Sequence, residues 1–292
     1  MTTRIKQTEF GIKIEKARCF LKDKKLDGIW LAEPENVAWL TCGGNNRVDL
    51  TSPWGSFGLL VTQSQIIAIA GNNEMPRVQK EEIENLGIET FSFPWYEGYG
   101  DMYAKKLCSG MKVGADRPAD DFTFIGFEFA SLRYQLTPWE KERYHQLAND
   151  TAKVLAKVCQ EIKPGFSEHQ IGARVGAGFR EQNIMPFVLL VAADERIAEF
   201  RHPIPTDKKA ERVVMLSICG QRGGLVVSQT RLVSFGKLSP DLEERHRSVV
   251  QIEAEMFKQT FAGNSLGQIF ASTVAAYERS GFPEEWKLHH QG

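Results

Sequence analysis

Apolar residues in the first half of the chain follow two alternating patterns. Short continuous apolar runs, which are typical of buried strands, occur at residues 28–31, 57–61 and 66–70, and two further strands are predicted at 89–93 and 112–114. Between them, the spacing of apolar positions predicts helices at 8–25, 76–85 and 100–108 and a helical turn at 36–40. Strands that alternate with helices in this way indicate a sheet packed by helices.

The second half contains stronger helix signals. Thr137 and Glu140 form a capping box around Pro138, which predicts a long helix that ends at residues 164–165, where Pro is followed by Gly. Ser167 and Gln170 form a second capping box, for a helix to about residue 182.

Two further helices are predicted near the end of the chain. One begins at residues 239–240, a Ser-Pro pair, and ends at Gly263; the next begins at Ser265 and ends near Gly281. Strands lie between the two helix pairs. The pattern predicts an α+β fold class, with an α/β domain at residues 1–136 and a second domain at 137–292.

Composition narrows the classes of function. The 292 residues are 42% hydrophobic and 25% charged, which allows two domains, and the formal net charge is −1. We therefore expect no nucleic acid partner, and no apolar run approaches the roughly 20 residues of a membrane span. Five scattered cysteines without C-x-x-C spacing, and an N-terminus without an apolar signal segment, favour a cytoplasmic protein without a structural zinc site.

One predicted hairpin carries candidate chemistry. Residues 213–220 and 225–231 are rich in β-formers and are joined by the sequence QRGG. If Arg222 and Gly223 are the turn residues, Ser217 lies directly opposite Ser228, and Cys219 shares their face. Two hydroxyls would then project into one site; the alternative, which spacing alone favours, is a solvated or packed sheet face with small polar residues.

Motifs in a fixed order then point to a family. Residues 161–168 read EIKPGFSE, residues 201–207 read RHPIPTD, and the hairpin carries MLSICG followed by SQTR. In this order they resemble the pita-bread metallopeptidases, the family of aminopeptidase P, prolidase, methionine aminopeptidase and creatinase. The resemblance covers residues 137–292, and residues 1–136 resemble the creatinase-type N-terminal domain. It implies that His202 matches a substrate-binding histidine of the family.

The resemblance also implies a missing metal site. The family's peptidases hold two divalent ions with two Asp, one His and two Glu, but Ser217 and Ser228 stand where the hairpin aspartates should be. A neutral hydroxyl does not replace the anionic charge that hard cations require. By the family pattern the remaining ligands follow the fourth helix, and His289 matches a substrate-contacting histidine rather than a ligand. We therefore expect no metal and no other cofactor.

Creatinase, a metal-free amidinohydrolase of this family, provides an alternative chemistry. By this resemblance His202 is the candidate catalytic residue, because a histidine acts as a general base near neutral pH. Ser217, Ser228, Arg231 and His289 are the candidate substrate-binding residues, with Arg231 suited to a carboxylate. Cys219 is an alternative nucleophile, although a buried, inert cysteine is the simpler interpretation.

Three functional hypotheses follow. The first is a metal-independent hydrolase of a C–N bond, the second is a non-catalytic protein that binds a small molecule or peptide, and the third is an Xaa-Pro peptidase whose remaining ligands lie beyond this chain. The resemblance implies a homodimer. It also implies that the pita-bread domain is incomplete at its C-terminal end, where a final β segment would otherwise cover exposed strand edges.

Overall fold

The computed structural model describes residues 2–289 and divides the chain into two compact units. The first unit comprises residues 1–149 together with 221–227, and the second comprises residues 150–220 and those from 228 onward. None of the helices described between residues 2 and 289 has the length and apolar character that crossing a bilayer requires.

The first unit is built on a mixed sheet with the strand order β4-β3-β2-β1-β5-β6. Its strands are β1 (Gly28–Leu31), β2 (Phe57–Thr62), β3 (Ile66–Gly71), β4 (Glu89–Phe93), β5 (Val113–Ala115) and β6 (Thr123–Phe124). Strand β2 runs antiparallel to both β1 and β3, and the other neighbouring pairs are parallel.

Both faces of this sheet are covered, which explains why its central strands are continuous apolar runs. The helices are α1 (Thr3–Lys24), α2 (Pro34–Leu40), α3 (Met75–Arg77), α4 (Gly100–Leu107) and α5 (Gly126–Ala130). Ile29 and Leu31 belong to the apolar cluster that contains α1 residues such as Phe10. Trp30, between them, belongs to a second cluster with Ala104 of α4.

The structure confirms the predicted elements of this unit and corrects some of their bounds. Helix α1 begins at Thr3 instead of residue 8, in a polar stretch without an apolar periodicity. The helix predicted at 76–85 is the short α3 followed by a π-helical turn, Val78–Glu82. Strand β6 and helix α5 were not predicted, because elements of two and five residues are too short to show a period.

Charged residues are buried at the start of α6 (Pro138–Glu161). Lys13 lies 2.8 Å from Glu9 Oε1 and 2.7 Å from Glu140 Oε1, and both partners are buried. Arg143 donates to both oxygens of Glu9, at 2.7 and 2.8 Å. Burial raises the pKa of Glu9, but the hydrogen bonds from Arg143 and Lys13 outweigh this and lower it to about 2.

The second unit contains a sheet with the strand order β7-β8-β9 and helices on the chain segments around it. Its elements are α7 (Glu168–Glu181), β7 (Met185–Ala193), α8 (Arg196–Glu199), β8 (Val213–Arg222), β9 (Leu225–Ser234), α9 (Pro240–Gln259) and α10 (Leu266–Arg279). Helix α6 and the β8–β9 hairpin contribute residues to both units.

The predicted capping boxes are confirmed. Ser167 Oγ accepts from the backbone N–H of Gln170, whose side chain accepts from the backbone N–H of Ser167. The same reciprocal pair joins Thr137 and Glu140. The predicted end of α9 at Gly263 is wrong by four residues, because the side chain of Asn264 donates to the carbonyl of Gln259, where the helix ends.

Candidate functional site

The turn of the β8–β9 hairpin differs from the prediction. Gly223 and Gly224 are the turn residues, with φ angles of 57° and 79°. Two-residue hairpin turns that match the twist of the strands require positive φ at these positions, which glycine adopts without the steric cost that Arg222 would meet. The predicted turn at Arg222–Gly223 is therefore wrong.

The corrected turn changes which residues face each other. Cys219 Sγ lies 3.1 Å from Ser228 Oγ, and Thr230 Oγ1 donates to Ser217 Oγ at 3.2 Å. The predicted direct opposition of Ser217 and Ser228 is wrong. Ser217 lies opposite Thr230, two residues beyond Ser228, and Ser228 lies opposite Cys219, two residues beyond Ser217. A shift by two residues keeps every side chain on its face, so these four groups still share one side of the hairpin.

The other side of β8 is apolar and packed. Val214, Leu216 and Ile218 are buried, whereas Ser217 and Cys219 are half-buried. Alternation of buried and accessible positions is the pattern of a strand with one packed face. The hydroxyl and thiol groups therefore lie on the accessible face of the hairpin.

This donor set does not fit a pair of divalent metal ions. The accessible face presents neutral hydroxyls at Ser217, Ser228 and Thr230 and a thiol at Cys219, and hard cations prefer anionic carboxylate oxygens. Between residues 2 and 289, no group of three or more His, Cys, Asp or Glu side chains is arranged to hold a metal ion. The expected absence of metal rests on this donor chemistry and stays a prediction.

The two candidate histidines lie against each other. His202 follows α8, and His289 follows a short 3₁₀ turn, Glu285–Leu288. Their Nε2 atoms are 3.0 Å apart and the ring centroids 4.8 Å apart. One Nε2 must donate and the other accept, so at least one ring presents an unprotonated nitrogen. Arg201 and Glu285 form an ion pair at 2.8 Å beside the rings.

Arg231 folds along its own strand. Its guanidinium donates to the carbonyl of Thr230 at 2.8 Å and to Gln229 Oε1 at 3.3 Å. The sequence did not indicate that Cys159 of α6 lies near Arg231. Burial raises the pKa of the Cys159 thiol, and the charge of Arg231 offsets only part of this rise. No periodic or motif signal distinguishes Cys159 from an ordinary helix residue.

The sequence indicates Glu168 only as the last residue of the motif at 161–168. Glu168, the first residue of α7, is fully buried and accepts hydrogen bonds from the segment that follows His202. Its position directly after the capping Ser167 explains its place at a helix start but gives no sign of these long-range partners.

The sequence of the chain matches the model of one known family. The sequence model for metallopeptidase family M24 matches residues 142–292. No curated protein matches the sequence.

Solved structures match nearly the whole chain. The prolidase of Pyrococcus horikoshii superimposes with a TM-score of 0.77 at 16% identity, over 93% of this chain and 79% of that one. The X-Pro aminopeptidase of Thermotoga maritima superimposes with a TM-score of 0.75 at 19% identity, over 93% of this chain and 78% of that one. The N-terminal domain of the FACT complex subunit SPT16 from Cicer arietinum (chickpea) superimposes with a TM-score of 0.65 at 12% identity, over 94% of this chain and 77% of that one. At these identities the likeness shows the fold, and it confirms the predicted fold class.

Proposed function

The chain belongs to metallopeptidase family M24, and from this premise we propose that it is a metal-independent member that hydrolyses a C–N bond in a small molecule or peptide. The observation that carries the proposal is the pairing of His202 with His289, Nε2 to Nε2 at 3.0 Å, in a chain whose hairpin presents neutral groups in place of carboxylates.

The chemistry assigned to the histidines is acid–base catalysis. The ring with an unprotonated Nε2 takes a proton from a water molecule, whose oxygen attacks the carbon of the C–N bond. The same ring then gives that proton to the departing nitrogen as the C–N bond breaks, so it ends the turnover unprotonated again. We assign the role of base to His202, and ligand binding separates it from His289.

The hairpin supplies binding groups in this proposal. The hydroxyls of Ser217 and Ser228 donate and accept hydrogen bonds without fixing the charge of a ligand. Arg231 is exposed and carries a guanidinium whose fork fits a ligand carboxylate. Residues 230 and 231 are neighbours on β9 and their side chains point to opposite faces, so Arg231 does not share the face of Ser217 and Ser228. The hydroxyls alone therefore define the proposed ligand, a small molecule or peptide with an amide or guanidino C–N bond.

The test is removal of the imidazole. In H202A we expect turnover of small amide and guanidino substrates to fall by about 10²-fold or more, the range that general acid–base catalysis contributes. The matched control is H246A, which removes an exposed histidine of α9 and should keep full turnover. Both variants should unfold at the urea concentration of the wild type. Equal turnover in H202A and the wild type would exclude His202 as the base.

A second candidate function is ligand binding without catalysis. The match to SPT16 favours it, because that protein is described as a subunit of the FACT complex. A binding protein would be stabilised against heat by its ligand and would turn over no amide or guanidino substrate, whereas the hydrolase shows both effects. The third hypothesis, an Xaa-Pro metallopeptidase completed by residues beyond this chain, is disfavoured by the neutral side chains of Ser217 and Ser228.

We also propose that the protein is a cytoplasmic homodimer. The support is the resemblance of its sequence to two-domain pita-bread proteins, together with five scattered cysteines that lack C-x-x-C spacing.

A further inference from the structure

Glu168 is a buried carboxylate whose two oxygens are both fully used. Oε1 accepts from the backbone N–H of Ala193 at 2.8 Å and from Arg196 Nε at 3.0 Å. Oε2 accepts from the backbone N–H and the hydroxyl of Thr206, at 2.9 and 2.7 Å. The side chain is 0% exposed, so these four bonds replace its contact with water.

These bonds converge on the segment that begins at His202. Thr206 is held directly, and Arg196, itself held by Glu168, donates through Nη2 to the carbonyl of Ile204 at 2.9 Å. Residues on both sides of Pro205 are therefore tied to one carboxylate. The carbonyl of Pro203 also accepts from the backbone N–H of Val191 of β7, at 3.2 Å. The backbone directly after His202 has little freedom left.

We propose that Glu168 is a positioning residue: it holds the segment of residues 203–206 so that the ring of His202 lies against that of His289. The Arg201–Glu285 ion pair ties the other flank of the pair but is exposed, so it adds little. The catalytic meaning of this placement rests on the proposed function. The placement itself does not, and it is measured without substrate.

Glutamine at position 168 keeps the size of the side chain but removes the negative charge of the carboxylate that accepts these hydrogen bonds. One oxygen would become an NH₂ group facing N–H donors, and Arg196 would lose its anionic partner. In E168Q we therefore expect residues 203–206 to be released and the two imidazole rings to separate.

Asp194 provides a matched control. Its carboxylate, 2% exposed, accepts from the backbone N–H groups of Glu211, Arg212 and Val213 at 2.8 to 3.0 Å. These residues lie at the far end of the same connection. Asn tolerates the positive φ of 56° found at Asp194, so D194N removes a comparable charge without a backbone conflict.

The experiment is NMR of protein with isotopically labelled histidine, in which the signals of the pair are assigned by H202Q and H289Q. The wild type should show a nuclear Overhauser contact between the His202 and His289 rings. E168Q should lose it and D194N should keep it, although both lose stability. T206V, which removes only one of the four hydrogen bonds, should weaken the contact and serves as the variant if E168Q does not fold.

Three results would overturn the positioning role: no ring contact in the wild type, an unchanged contact in E168Q or, if that variant does not fold, in T206V, or an equal loss in D194N. None of them depends on turnover. If H202A has no effect on turnover or ligand binding while E168Q still breaks the ring contact, the proposed function fails and the positioning role stands.

Discussion

At the scale of single residues, environment rather than residue type decides what the ionisable groups do. Glu9 and Glu168 are both fully buried carboxylates, yet Glu9 pairs with Lys13 and Arg143 whereas Glu168 is bonded to Arg196 and to groups of the connecting segment. Sequence patterns identify neither environment, because Arg143, Arg196 and Thr206 are distant in the chain from the carboxylates they bind; only Lys13, four residues after Glu9, is near its partner. The hairpin serines and both histidines could be named from motifs, but the contact between the rings depends on two irregular segments.

Glu9 gives a prediction for pH dependence. Its pKa is lowered to about 2 in the folded chain, so the stability it contributes is present above its ordinary value of 4.5 and is lost as the pH falls from there towards 2. E9Q leaves Arg143 without its buried anion and Lys13 with Glu140 alone, and it should lower the free energy of unfolding by about 3–5 kcal/mol at pH 7. Urea unfolding of both proteins at several pH values should show this difference shrinking below pH 4.5.

The control for this prediction is E128Q. Glu128 pairs with Lys24 at the surface, where ion pairs contribute about 0–1 kcal/mol. A pH-independent difference between the wild type and E9Q, or a loss in E128Q as large as that in E9Q, would contradict the assignment.

At the scale of elements, local signals fix helix starts better than strand pairing. The capping boxes at residues 137–140 and 167–170 mark the starts of α6 and α7, because the reciprocal hydrogen bonds are made within four residues. Strand register depends on which residues tolerate positive φ. In QRGG two choices of turn give different pairings, and only the one with Gly at both positions avoids strain.

The hairpin turn offers a test of that reasoning. Gly224 has a φ of 79°, and a Cβ added there would lie 2.7 Å from the Cβ of Ala38. G224A should therefore lower the free energy of unfolding by about 1–3 kcal/mol, from backbone strain and overlap together. G236A is the control, since no atom lies within 4 Å of its added Cβ, and it should change stability by less than about 0.5 kcal/mol. Equal unfolding midpoints for the two variants in urea would contradict the turn assignment.

At the scale of the whole molecule, the fold follows from the sequence more securely than the activity. The helix pairs, the strands between them and the order of motifs predicted an α+β pita-bread chain, which the solved structures confirm. The proposed activity depends on a few side chains, and the expectation that Ser217 and Ser228 stand in place of the family's aspartates rests on the sequence resemblance alone. The same fold is found in a protein described as a prolidase and in one described as a FACT complex subunit.

The assembly is a prediction at this scale. Size-exclusion chromatography with light scattering should give about twice the 32.9 kDa mass of the chain at micromolar concentration. A mass equal to one chain under the same conditions would contradict the homodimer. The outcome is independent of the H202A test, because His202 is not proposed to contact a partner chain.

The most direct test of the central claim is the metal content of the protein. After incubation with excess Mn²⁺ or Zn²⁺ and removal of the free ions, elemental analysis should find far less than one ion per chain, because the hairpin offers hydroxyls and a thiol where two-metal sites use carboxylates. The variant S217D/S228D, which restores two carboxylates, should retain more metal than the wild type. About two tightly held ions per wild-type chain would contradict the account.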